Sequence, residues 1–123
     1  MLPPNLDGTQ PEQPGVAGSQ PNELDLRRII RMLRKRARYR YVSVKVIAAA
    51  GGYVILSPCC SRTIDNAGGI IEIARIEYDE HFSLWKLFSK DHVRSEWCMR
   101  HSGQRLRQVM EKLNQDPERF FWQ

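Results

Sequence analysis

A chain of 123 residues with 41% hydrophobic and 27% charged side chains has the size and balance of one modest globular domain, too short for two full cores. Its 19 Lys+Arg outnumber 14 Asp+Glu to give a net charge of +5, which favours an anionic partner over a cationic one. No apolar run is long enough for a transmembrane helix, the N-terminus has no secretory pattern, and three cysteines, two of them adjacent, do not form a disulfide framework. A reducing, cytoplasmic compartment and no membrane partner are therefore expected.

Residues 1–23 hold Pro3, Pro4, Pro11, Pro14 and Pro21 and few apolar side chains. Such a segment cannot offset its ordering entropy by burial, so a disordered leader is expected, followed by one folded domain over residues 24–123.

The stretch 24–40, LDLRRIIRMLRKRARYR, carries Arg27, Arg28, Arg31, Arg34, Lys35, Arg36, Arg38 and Arg40, with no acid after Asp25. Leu26, Ile29, Ile30, Leu33 and Ala37 recur at helical spacing, which predicts a helix with one apolar stripe and cationic remaining faces. Asn22 or Asp25 suits its N-cap, and Glu23 and Asp25 suit the positive end of its dipole. These eight basic residues exceed the entire net charge, so the positive field is local. Most charge runs are simply solvated helix faces, but those intersperse acids with bases. Here the pairs Arg27/Arg31, Arg31/Lys35, Arg34/Arg38 and Arg36/Arg40 repel by roughly a few tenths of a kcal/mol each. A helix that tolerates this implies an anionic partner. Tyr39 and Tyr41 add rings able to stack on bases, and the expected binding set is therefore these eight residues with Tyr39 and with Lys45 from the following strand. Arg75, Lys86 and Arg100 are candidates to extend the patch across a sheet.

From Tyr41 the period changes to two. Val42, Val44 and Val46 alternate with polar residues as in a half-buried strand, Gly51-Gly52 marks a turn, and Tyr53 to Leu56 forms a second strand ended by Pro58. Residues 59–69 read as a loop. Ile70 to Tyr78, Phe82 to Phe88 and the shorter Ser95 to Arg100 read as three further strands. Ser102 is a plausible N-cap for a helix whose face is Leu106, Val109, Met110 and Leu113, and Asp116-Pro117 ends it. Phe120, Phe121 and Trp122 are too apolar to remain in water and are expected to fold back on the sheet or first helix. The fold class is thus α+β: a basic amphipathic helix, a four- to five-stranded antiparallel sheet and a C-terminal helix, both helices on one side. The fourth strand is apolar on both faces, so a sticky outer face, and with it a homodimer, is an expectation.

Ala74-Arg75-Ile76-Glu77-Tyr78, Trp85-Lys86-Leu87-Phe88, Trp97 and Asp116-Pro117 with Phe120-Phe121 form a sequence pattern. On these motifs the chain resembles a family of small bacterial domains of unknown function, departing from the family pattern at Ser89 and Cys98. The resemblance spans about residues 24–122 and implies a domain boundary and an α+β order, but no chemistry.

Adjacent Cys59 and Cys60 point apart, and Cys98 with His101 makes one lone pair, so the cysteines and His81, His92 and His101 do not form a zinc pattern. Asp79, Glu80 and His81 lie in one turn and Asp91-His92 in another, and acid–base work would require the two turns to adjoin. No metal, cofactor or catalytic residue is expected. The leading reading is a non-enzymatic binding module whose arginines contact nucleic acid, DNA or RNA, through its backbone. The alternative is an adaptor or inhibitor that docks the same helix on an acidic protein surface.

Overall fold

The computed structural model describes residues 18–58 and 69–123. The expectations for most of the leader, for the loop after Pro58 and for Cys59 and Cys60 fall outside the described residues. Among the described residues the order is α1 (Glu23–Leu33), β1 (Lys45–Ala49), β2 (Gly52–Pro58), β3 (Ile70–Asp79), β4 (Leu84–Asp91), β5 (Glu96–Gly103) and α2 (Leu106–Gln115). The five strands form one antiparallel meander in sequence order, β1-β2-β3-β4-β5. The fold is α+β, as the periodicities predict.

Both helices lie on one face of the sheet. There Tyr53 and Ile55 of β2, Ala74 and Ile76 of β3, and Trp85 and Leu87 of β4 meet Ile29 and Leu33 of α1 and Leu106, Val109, Met110 and Leu113 of α2. The alternation in β4 is strict: Trp85, Leu87 and Ser89 are buried, while Lys86, Phe88 and Lys90 are only half-buried. The outer face presents a cross-strand row, Ile47, Val54, Arg75, Phe88 and Met99, one residue from each strand in register. Around this row run three ion pairs: Arg75–Glu77 at 2.5 Å, Lys86–Asp79 at 2.8 Å and Lys90–Glu72 at 3.1 Å. The second apolar face of β4 is thus interleaved with charge.

The N-terminal boundary differs from the expected one. Residues before Leu24 already belong to the folded unit, because the Tyr53 hydroxyl accepts from Asn22 N–H (2.8 Å) and donates to Gln20 Oε1 (2.6 Å). Asn22 caps α1, its Oδ1 accepting from Asp25 N–H at 2.8 Å. Tyr53 is wholly buried, and that burial pushes its pKa up, so the phenol remains a neutral tether between β2 and the start of α1.

The C-terminal tail folds back as expected, with Phe121 and Trp122 buried. The cause is Asp116, which has φ 38° and is itself buried. Its carboxylate accepts from the N–H groups of Phe120 (2.8 Å), Phe121 (3.1 Å) and Trp122 (2.8 Å), and Trp122 Nε1 donates to Leu113 O at 2.8 Å. Ser102 is not the N-cap of α2. It stays in β5 opposite Lys86, and Arg105 takes the cap position, its N–H donating to Gln108 Oε1 at 3.0 Å.

Candidate nucleic-acid interface

The basic stretch is helical only as far as Leu33. The next three residues tighten into i to i−3 bonds, Arg34 N–H to Arg31 O, Lys35 N–H to Met32 O and Arg36 N–H to Leu33 O. The carbonyls at this helix end also accept from side chains. Asn114 Nδ2 donates to Met32 O at 2.8 Å and Arg36 Nη1 to Leu33 O at 2.9 Å, while Ala37 N–H donates across to Asn114 O at 2.9 Å. The helix ends where α2 and a buried arginine supply those bonds. The expected extension to Arg40 is therefore replaced by a turn-rich connection, and β1 begins at Lys45 rather than near Tyr41.

This ending divides the ten expected binding residues. Arg36 is buried, and its guanidinium donates to the carbonyls of Leu33, Tyr39 (3.0 Å), Arg40 (3.4 Å) and Val42 (2.7 Å) and sits 5.6 Å from the Trp122 ring centroid. Burial, and then the neighbouring Arg40 charge, lower its pKa from the ordinary arginine value. Arg38 caps α2 by donating to Gln115 O at 3.1 Å and Asp116 O at 2.5 Å. Tyr39 packs its ring 6.3 Å from Trp122 and its hydroxyl donates to Gln123 O. These three side chains organise the connection from within.

Arg27 pairs with Glu23 at 2.7 Å and Arg28 with Asp25 at 3.3 Å. The first pair is almost fully exposed and contributes about 0.5 kcal/mol or less, so it yields easily to a stronger anion. Arg31, Arg34, Lys35 and Arg40 are exposed and have no carboxylate partner among the described residues. Lys45 is exposed too, but it pairs in register with Leu56 on the outer sheet face, away from α1. Arg75 and Lys86 are held in the outer ion pairs, and Arg100 bonds Ser89 Oγ at 2.9 Å and lies 3.8 Å from the Phe120 ring centroid. None of the three extends the helical patch.

Two cations absent from the expected set do extend it. Arg105 and Arg107, exposed at the start of α2, join Arg28, Arg31, Met32 and Leu106 around a cleft of about 230 Å³ between the helices. Their sequence signal was weak, because they are single bases among polar neighbours and only the packing of α2 beside α1 brings them to Arg31. On the other side of α1, a groove of about 380 Å³ opens toward β1, with Ile30, Val44 and Val46 among its lining and Arg34, Arg40 and Tyr41 at its rim.

Removing the buried guanidinium separates support from contact. Arg36→Ala is expected to lower unfolding free energy by about 2–4 kcal/mol, since it removes the guanidinium from the Arg40 and Val42 carbonyls, weakens the support of Leu33 O and Tyr39 O, and opens a void beside Trp122. Urea denaturation measures this, and the same loss at Lys35→Ala would contradict the division drawn above.

The two acid-bearing turns do not adjoin. Asp79 pairs with Leu84 at one end of the eight-residue β4 and Asp91 with Glu96 at the other, about 20 Å or more apart. Both carboxyls are held below their ordinary pKa within their own turns, Asp79 chiefly by the hydrogen bond from Lys86 and Asp91 chiefly by that from Arg94 N–H. Burial lowers the pKa of His92 and of His101. Among the described residues no group of His, Cys, Asp and Glu converges on a point that would hold a metal ion, and no helix is long and apolar enough to cross a membrane.

The fold and this surface define a small α+β domain with a cationic helical layer on one side of an antiparallel meander. The chain belongs to the DUF3024 family, a domain of unknown function, whose pattern matches residues 17–123. No curated protein and no solved structure matches the chain.

Proposed function

We propose that the protein is a non-enzymatic module that docks its helical layer on the sugar–phosphate backbone of nucleic acid. One observation supports this reading: Arg31, Arg34, Lys35 and Arg40 stand exposed without carboxylate partners among the described residues, while Arg36 and Arg38 are committed to the fold. Like charges held together repel, and a polyanion relieves that repulsion while releasing its own counterions. Arginine adds bidentate contact with phosphate oxygens. Arg105 and Arg107 lengthen the cationic surface beyond one helix face, as tracking of successive phosphates requires.

Fluorescence anisotropy with labelled duplex DNA and RNA at several salt concentrations tests this. Affinity is expected to fall steeply with salt, and Arg31→Glu with Lys35→Glu is expected to weaken it at least about tenfold and to flatten the salt slope by about two. Both positions are exposed, so the fold should survive, which circular dichroism checks. Unchanged binding in the double variant would remove the reading. Retention of an acidic protein with no affinity for nucleic acid would transfer the surface to an adaptor role.

A further inference from the structure

The groove between α1 and β1 extends the backbone-docking reading and rests on it. Its aliphatic lining includes Ile30, which is 42% exposed, and the half-buried Val44 and Val46. At its rim Tyr41 is 101% exposed, so its ring is as open to water as in an unfolded chain. Arg34 and Arg40 share that rim, both free of carboxylate partners among the described residues. Arg36 also borders the groove but is committed to backbone carbonyls. The volume, about 380 Å³, lies within the range of small-ligand sites, roughly 300–1,000 Å³.

An exposed phenol ring, aliphatic walls and two exposed guanidinium groups suit a flat base carried between two phosphates. A duplex keeps its bases stacked inside and offers this groove only phosphate. An unpaired nucleotide offers both parts, and aromatic stacking does not depend on which base is present. We infer that the α1–β1 groove receives an unpaired nucleotide of a single-stranded nucleic acid, with its base stacked on Tyr41 and flanking phosphates on Arg34 and Arg40. A rival occupant is an acidic peptide adding to β1, which pairs on one side only. Strand addition would draw on β1 backbone groups and leave the Tyr41 ring, four residues before β1, without a role. The exposed ring beside the exposed arginines favours the nucleotide.

The test compares a labelled oligothymidine with a duplex of equal phosphate count, bound by the full chain. Tyr41→Ala is expected to weaken oligothymidine binding about tenfold, Tyr41→Phe to restore it, and duplex binding to stay unchanged in both. Base stacking is read directly from the hypochromic change of the oligothymidine absorbance, expected with the unaltered chain and with Tyr41→Phe and lost with Tyr41→Ala. Equal effects of Tyr41→Ala on both strand forms, or none on either, would overturn the inference and leave backbone docking intact. Displacement of oligothymidine by polyglutamate, with Tyr41→Ala indifferent, would overturn it in favour of a peptide. Absence of binding to any nucleic acid would remove the proposed function itself.

Discussion

Asp116→Ala is expected to lower the unfolding free energy by about 3–5 kcal/mol, and the melting temperature by roughly 15 °C or more. The carboxylate is buried and holds three consecutive backbone N–H groups of the tail, at 2.8, 3.1 and 2.8 Å. Alanine leaves those donors without a partner and frees the segment that carries Phe121 and Trp122 into the core. Each hydrogen bond to a charged acceptor is worth about 1.5–3 kcal/mol, and the three do not add fully because they break together. The effect should reach the cationic surface as well. Trp122 is the ring against which Tyr39 and Arg36 pack, and Arg36 collects the carbonyls that shape residues 33–42. Asp116→Asn keeps an acceptor oxygen but not the charge, so an intermediate loss is expected. Thermal denaturation with hydrogen exchange at Trp122 N–H measures both. If exchange at the tail were unchanged in Asp116→Ala, the carboxylate would not be what holds the tail.

Gly52→Ala is expected to cost about 2–4 kcal/mol, an unusually large penalty for adding one methyl group. A Cβ at Gly52 would lie 1.9 Å from Ile76 O and 2.9 Å from Glu77 Cα, and both obstacles are backbone of the neighbouring strand. Relief requires β2 and β3 to separate where their register begins, Gly52 opposite Glu77 and Tyr53 opposite Ile76. Tyr53 anchors the start of α1, so the disturbance should spread to the N-cap. Gly51 is the control. It has φ +75° and nothing within 4 Å of an added Cβ, so Gly51→Ala meets only backbone strain of about 1 kcal/mol. Urea midpoints for the two variants should differ in that order. Equal midpoints would mean that the close approach of β2 to β3 relaxes at little cost.

Much of this architecture is legible in the residues. The stripe of Leu26, Ile29 and Leu33, the alternation through β4, and the apolar end at Phe121 and Trp122 each report a partition between water and core, which is a property of local spacing. The destinations of the arginines are not legible in that way. Arg31 and Arg36 look alike in a helical pattern, yet one is exposed and the other is buried among carbonyls. Tyr39 and Tyr41 look equally fit to stack on a base, yet Tyr39 is packed against Trp122 and Tyr41 is open to solvent.

The amino-acid order alone determined the order of helices and strands, the faces they bury and the local excess of positive charge, because periodicity and composition act over a few residues at a time. Only the tertiary structure decided where α1 stops, which cations are committed to the fold and which are left exposed. Those outcomes depend on groups far along the chain: Asn114 bonding Met32, Arg38 bonding the end of α2, and the tail pinned by Asp116. A guanidinium goes to whichever acceptors folding brings within reach, and no spacing rule along the chain encodes that meeting.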